Sequence, residues 1–267
     1  MKQKTYLKIF SLLFLSLFFS CSDDDNNTPP IVEQTPALIK RITTKVYIST
    51  DDIETYITDF TYEGSQLKRF GFESNYTEFT YSGEQIAFAK QYRNGTLEKT
   101  NGFVYENNKL MTVTSEDERT IFNYNGQGKV ASVQYQYLRS DNTWASQGSE
   151  SFLFAGNNVS QVIQTSSWSN SKSQFTYDDK NNPMRDMNPY FRMLYGIAGV
   201  HPMSENNYIT QAYFSTPTAT IPSANYHNEI TYNDKNFPIL IKRLTSSNQM
   251  SESTEIEYEV ALTTNAN

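Results

Sequence analysis

The sequence predicts an all-β protein: an antiparallel meander of repeated hairpins forming a strongly curved sheet or open barrel, with one short helical insertion. The first sign is a unit that recurs along the chain: aromatic, any residue, aromatic, a turn rich in Gly, Asn and Asp, then an aliphatic residue. Side chains two apart share one face of an extended strand, so paired aromatics mark a packed face. The second sign is composition, because 19 Tyr and 17 Phe suit a pleated surface with one face packed and the other wet. The third is periodicity: none of the repeated segments keeps apolar residues at i, i+3, i+4 and i+7, as a helix would.

The chain starts with Lys2, Lys4 and Lys8, continues through an apolar run from Ile9 to Phe19, and reaches small Ser20 before Cys21. That is the layout of a cleaved secretory leader over residues 1–20. As a helix the apolar run spans roughly 16 Å, about half of the ~30 Å hydrocarbon core, too short to cross a membrane. Cys21 is the only cysteine, which excludes an intrachain disulfide. Its neighbours Asp23, Asp24 and Asp25 disfavour the thiolate that a catalytic cysteine needs.

A leader ending directly before cysteine resembles the lipobox of bacterial lipoproteins. Ser20 fills the small position before the cysteine, while Phe18 stands where that family usually has Leu, and Leu17 lies one place further out. The resemblance implies that Cys21 carries a diacylglycerol and an acylated N-terminus. Several acyl chains, at about 0.8 kcal/mol per buried methylene, make a lasting membrane anchor. The run Ser22, Asp23, Asp24, Asp25 resembles the acidic signal that sends Bacteroidota lipoproteins to the outer face of the outer membrane. The expected location is therefore the outer membrane, lipid-anchored and cell-surface exposed. Residues 21–37 read as the lipidated cysteine plus a disordered acidic, Pro-rich tether.

Residues 38–262 read as one β-repeat domain, and residues 263–267 as a disordered tail. The units are FTYEGSQL from Phe60, FTYSGEQI from Phe79, FVYENNKL from Phe103, FNYNGQGKV from Phe122, FLFAGNNV from Phe152, FTYDDKNNP from Phe175 and ITYNDKNFP from Ile230. The segment IEYEV, Ile256 to Val260, is a final half unit. The turn residues are those that tolerate positive φ or bond their own backbone, so each unit reads as a hairpin or two successive strands. Between residues 184 and 227 the repeat lapses. There Asn188 is placed to N-cap a short helix with Pro189 first. Phe191, Leu194 and Ile197 or Ala198 then share a face, and Gly196 and Gly199 end it. Such a helix is expected to plug the sheet's open end or concave face.

Aromatic-x-Tyr followed by Asp or Asn, a turn and an aliphatic residue resembles the tyrosine-aspartate (YD, or RHS-like) repeats. It is also similar to repeat-bearing lipoproteins common in Bacteroidota. The residues that carry this are Tyr177-Asp178 with Asn182-Pro183, Asn206-Asn207, and Tyr232 with Phe237-Pro238.

Motifs that carry chemistry are sparse. His201 and His227 lack metal-ligand spacing, and no metal or other cofactor is expected. The Asp178-Asp179 turn is only superficially like a calcium loop, since the alternating ligands and closing Glu are missing; these two aspartates would be the first suspects for a bound calcium. The acids Glu116, Asp117 and Glu118 sit in a charged turn. Neither a Gly-x-Ser-x-Gly elbow nor a phosphate loop is present, so no catalytic residue is assigned and the expected protein is not an enzyme. The full chain carries a charge of −7, and loss of Lys2, Lys4 and Lys8 with the leader takes it to −10. That balance disfavours nucleic acid as a partner.

The expected function is a cell-envelope lipoprotein whose non-catalytic domain presents a binding or structural surface. Its partners would be the membrane, through Cys21, and a glycan or envelope protein. The alternative is an accessory protein that binds or processes polysaccharide in an aromatic-lined groove. Trp144, Trp168, Tyr135, Tyr137, Tyr190 and Tyr195 are the candidates for stacking on sugar rings. They are equally placed to pack the sheet.

Overall fold

A computed structural model describes residues 37–49, 52–167, 169–197 and 199–260. Cys21, the Ser22–Asp25 run and Trp168 lie outside the described residues. Twelve strands come first: β1 (Ala37–Tyr47), β2 (Ile53–Glu63), β3 (Gln66–Phe72), β4 (Asn75–Ser82), β5 (Gln85–Arg93), β6 (Thr96–Glu106), β7 (Lys109–Thr114), β8 (Glu118–Tyr124), β9 (Val130–Leu138), β10 (Trp144–Ala155), β11 (Asn158–Ser166) and β12 (Asn170–Asn181). Helix α1 (Pro189–Leu194) precedes β13 (Asn206–Phe214), β14 (Ala224–Tyr232), β15 (Pro238–Thr245) and β16 (Met250–Val260). Each strand runs antiparallel to its chain neighbours, and β16 pairs with β1, so the meander closes into a barrel.

The turns explain the tight connections. Asn94-Gly95 and Asn107-Asn108 hold positive φ at both central positions, and Gly64, Gly83 and Gly156 hold it at the first. These are the backbone shapes whose twist matches paired strands. A register shift recurs beside the second aromatic of the unit, at Tyr62, Tyr81, Tyr105, Tyr124, Phe154, Tyr177 and Tyr232. Such bulges bend a strand and raise its twist, and repeated around a sheet they curl it toward closure.

The bulge also aims the tyrosine. Its hydroxyl crosses to the preceding unit and donates to a carbonyl at the start of that unit's second strand: Tyr81 to Leu67, Tyr105 to Ile86, Tyr124 to Leu110, Tyr177 to Val159 and Tyr258 to Pro238, at 2.6–2.9 Å. Sixteen strands make eight two-strand units, and the last is assembled from the two ends of the domain. Ile39 faces Tyr258 across β1 and β16 just as Leu67 faces Tyr62 across β2 and β3. The half unit at the C-terminus is thus completed by the first strand.

The inward faces of the strands carry the apolar core, together with buried polar residues such as Thr44, Thr77, Asn228 and Thr254. Phe60, Phe79, Phe122 and Phe152 point inward with Leu67, Ile86, Leu110 and Val159, all at most 8% exposed. Seven units close with a tight turn or chain ends, whereas the β12–β13 unit carries residues 182–205 in place of its turn. This segment folds into the barrel mouth at the turn end and plugs it. Asn188 caps α1, accepting from the backbone N–H groups of Tyr190 and Phe191. Phe191, 2% exposed, enters the core beside Phe60, Phe70 and Phe79. The plug is tied to the turns around it: Asn188 donates to the Glu84 carbonyl, Tyr190 to the Asn108 carbonyl, and Asp186 accepts from the Ala37 N–H.

The helix stops at Leu194. Tyr195 closes the last turn through its N–H to the Phe191 carbonyl, then becomes extended so that its ring stacks on Phe191 at 5.0 Å. The irregular stretch 184–227 divides into this plug, strand β13, a loop and the start of β14.

Candidate functional site

The aromatic candidates fall in three places. Tyr135 and Tyr137 point inward on β9, on the face of Val133, with Tyr137 42% exposed. Tyr190 and Tyr195 belong to the plug; burial pushes the Tyr195 phenol up to about 12. Trp144 lies on the outer face of β10, where Arg119 sits 4.6 Å from its ring. The five described residues share no single groove.

Asp178 is engaged within the fold. Its carboxylate accepts from the Tyr232 hydroxyl, from the Lys180 and Asn207 N–H groups and from the Asn207 amide, tying β12 to β13 and β14. Asp179 pairs with Lys180 at 3.2 Å. Among the described residues, no group of three or more His, Cys, Asp or Glu is placed to hold a metal ion.

The plug has a polar interior that composition alone did not reveal. Arg192 donates to the carbonyls of Pro202 (2.7 Å), Ser204 (2.8 Å) and Arg185 (3.2 Å), pinning the chain after α1 back onto the helix. Burial lowers its guanidinium to about 10, so the charge is retained at neutral pH. Ser204 donates to the Tyr177 hydroxyl and accepts from the Val159 N–H, which links the plug to the tyrosine ladder. His201 packs against the rings of Phe175 (5.5 Å) and Phe152 (6.3 Å), and its buried Nδ1 has no hydrogen-bond partner.

Where the plug meets the β8–β11 rim, a cleft of about 390 Å³ opens. Val130, Phe154, Met193 and Met203 give it an apolar lining, and Lys129 and Arg185 stand at its edge. None of these was singled out from sequence, although the Phe154 in FLFAGNN is a visible departure from the Tyr of the other units.

The outer wall is polar. The residues opposite the core pair across strands as Arg41 with Asp59, Arg69 with Glu78, Glu78 with Lys90, and Glu229 with Lys242, and Glu255 and Glu257 point the same way. Arg41 and Asp59 form a two-pronged ion pair. Apolar side chains interrupt this wall, with Phe88, Val104 and Leu153 exposed on it and Trp144 beside Arg119; in one aromatic patch Tyr76 and Tyr92 stack at 4.6 Å, with Arg69 lying 3.6 Å over the Tyr76 ring. A transmembrane barrel shows the reverse polarity, an apolar outer band where an Arg or Lys costs about 2–4 kcal/mol at the bilayer midplane and an Asp or Glu somewhat less.

These features define a class: a sixteen-strand antiparallel barrel with an apolar core, a plug at one end and a polar wall. The fold is similar to the crystal structure of a porin-like protein from Bacteroides uniformis ATCC 8492, at 12% identity and a TM-score of 0.57, covering 84% of this chain and 99% of that one. It is also similar to a porin-like protein from Bacteroides vulgatus ATCC 8482, at 13% identity and a TM-score of 0.50, with the same coverage. No protein-family model and no curated protein matches the chain. At this identity the likeness is one of fold.

Proposed function

We propose that the chain is a lipid-anchored protein of the bacterial outer membrane whose barrel stands in water and presents a binding or structural surface, without chemistry of its own. The observation that carries this is the outer wall, where the charged residues on β1–β5 and β14–β16 suit water and oppose lipid. Cys21, directly after the leader, supplies the anchor, and the Ser22–Asp25 run directs the barrel to the cell surface. The recurrent tyrosine unit fits a place among the tyrosine-aspartate-repeat lipoproteins of Bacteroidota. The porin-like description of the two Bacteroides proteins supports an envelope setting. A barrel crossing the bilayer is disfavoured by the same charged wall.

A second reading, glycan binding, draws on the stacked Tyr76–Tyr92 pair with Arg69 beside it, because apolar sugar faces stack on such rings.

The main reading is tested by placing a site-specific protease sequence between Asn27 and Thr28 and treating isolated membranes. The barrel is expected in the supernatant and the lipid on the short Cys21 fragment, as read by mass spectrometry. A barrel that stays in the pellet after complete cleavage, or an unmodified Cys21, would overturn it.

A further inference from the structure

One of the eight units lacks the hydroxyl that most of its sisters use. At the second aromatic position β10 carries Phe154, where Tyr81, Tyr105, Tyr124, Tyr177 and Tyr258 each donate to a carbonyl of the preceding unit. The register assigns the matching acceptor: Val130 faces Tyr124 as Leu110 faces Tyr105, so the carbonyl of Val130 is the one that a tyrosine at 154 would reach. Among the described residues no side chain donates to it. Phe154 and Val130 line the same cleft at the edge of the plug.

The rest of the cleft has a consistent chemistry. Met193 and Met203 supply soft, adaptable apolar walls that favour contact with an aromatic ring. Lys129 sits 5.1 Å from the Phe154 ring centre and donates to the Gly156 carbonyl and the Asn157 amide oxygen. Arg192 is likewise held by carbonyls. Both cations are thus bonded to neutral oxygens. Of the acids, Glu205 accepts from the Asn157 amide and Asp186 pairs with Arg185 at 3.6 Å. A volume of about 390 Å³ takes a substituted ring.

We propose that this cleft binds a small hydroxylated aromatic acid. Its hydroxyl donates to the Val130 carbonyl in place of the missing tyrosine hydroxyl, its ring lies among Phe154, Met193 and Met203, and its carboxylate faces Lys129 and Arg185. The proposal is independent of where the barrel resides.

The test uses the purified protein and three probes: 4-hydroxyphenylacetate, phenylacetate without the hydroxyl, and 2-(4-hydroxyphenyl)ethanol without the carboxylate. Titration calorimetry is expected to show binding of the first, with each control weaker by about tenfold. Phe154→Tyr supplies the hydroxyl from the protein. It is expected to abolish binding while raising the melting temperature by about 2–4 °C through the added hydrogen bond. Lys129→Met, at the rim, is expected to weaken the acid and leave the alcohol unchanged. No heat with 4-hydroxyphenylacetate at millimolar concentration overturns the proposal. So does a folded Phe154→Tyr protein that binds as the parent does, or a Lys129→Met protein that keeps full affinity for the acid.

Discussion

Phe191→Ala is expected to destabilise the barrel by about 3–5 kcal/mol and to lower its melting temperature by roughly 10 °C. The ring is 2% exposed and touches side chains from three strands at once, with Phe60, Phe70 and Phe79 at 6.4, 5.3 and 5.8 Å. It also carries the stacked ring of Tyr195. Truncation removes the apolar transfer and leaves a hole that neighbouring strands, held in a closed ladder, cannot collapse to fill. The hydrogen bonds that tie Asn188 and Tyr190 to the rim turns keep the plug from swinging out to relieve the loss. Thermal unfolding followed by circular dichroism reads the shift. A loss below about 1 kcal/mol would mean that the plug does not pack inside the barrel.

His201 is expected to make the protein lose about 3 kcal/mol of stability as the pH falls from about 6.5 to about 4. Burial lowers the imidazole to about 4, and the charge of Arg192 pushes in the same direction. Phe152 and Phe175 enclose the ring and offer the imidazolium no acceptor. Above about 6.5 the group is neutral in both folded and unfolded chains, so its full contribution is present. Between the two values the unfolded chain binds the proton and the folded one does not, so stability drops with pH; below about 4 the loss levels off. Urea unfolding at a series of pH values, compared with His201→Leu, isolates this contribution from that of the carboxylates. The variant's profile is expected to be flatter across that window, and parallel profiles would contradict the assignment.

Much of the fold is local and for that reason legible. Aromatic-x-Tyr with an Asn- or Gly-bearing turn states which face is packed and where the chain reverses, and all of this is decided within a dozen residues. Closure is different, because it rests on Ala37–Val46 finding Glu252–Val260 at the other end of the chain. The trace it leaves is a pair of incomplete units, IEYEV without a second half and ALIKRI without a first. Trp144 shows how a local reading goes astray. Strict alternation would put it on the inner face with Phe152, but a register shift between Ser146 and Gly148 reverses the face, and Trp144 emerges beside Arg119. The bulge needs Gly148, where a Cβ would lie 2.8 Å from the Thr165 carbonyl oxygen. The cleft was hidden for another reason: Val130 and Phe154 are 24 residues from each other and further from Met193 and Met203, and only the plug brings them together.

The polar outer wall is the claim on which the reading of this protein turns, and single cysteines test it most directly. Cys21 is the chain's only cysteine and, once lipidated, offers no competing thiol. Thr80, Thr176 and Glu255 are exposed on the outer face of three separate strands. Each would be replaced by Cys, and the membrane-bound protein treated with a membrane-impermeant maleimide. The expected result is labelling of all three at rates close to that of a free thiol, unchanged when the membrane is dissolved in detergent. Protection of all three in membranes, relieved by detergent, would contradict it and place the wall in lipid.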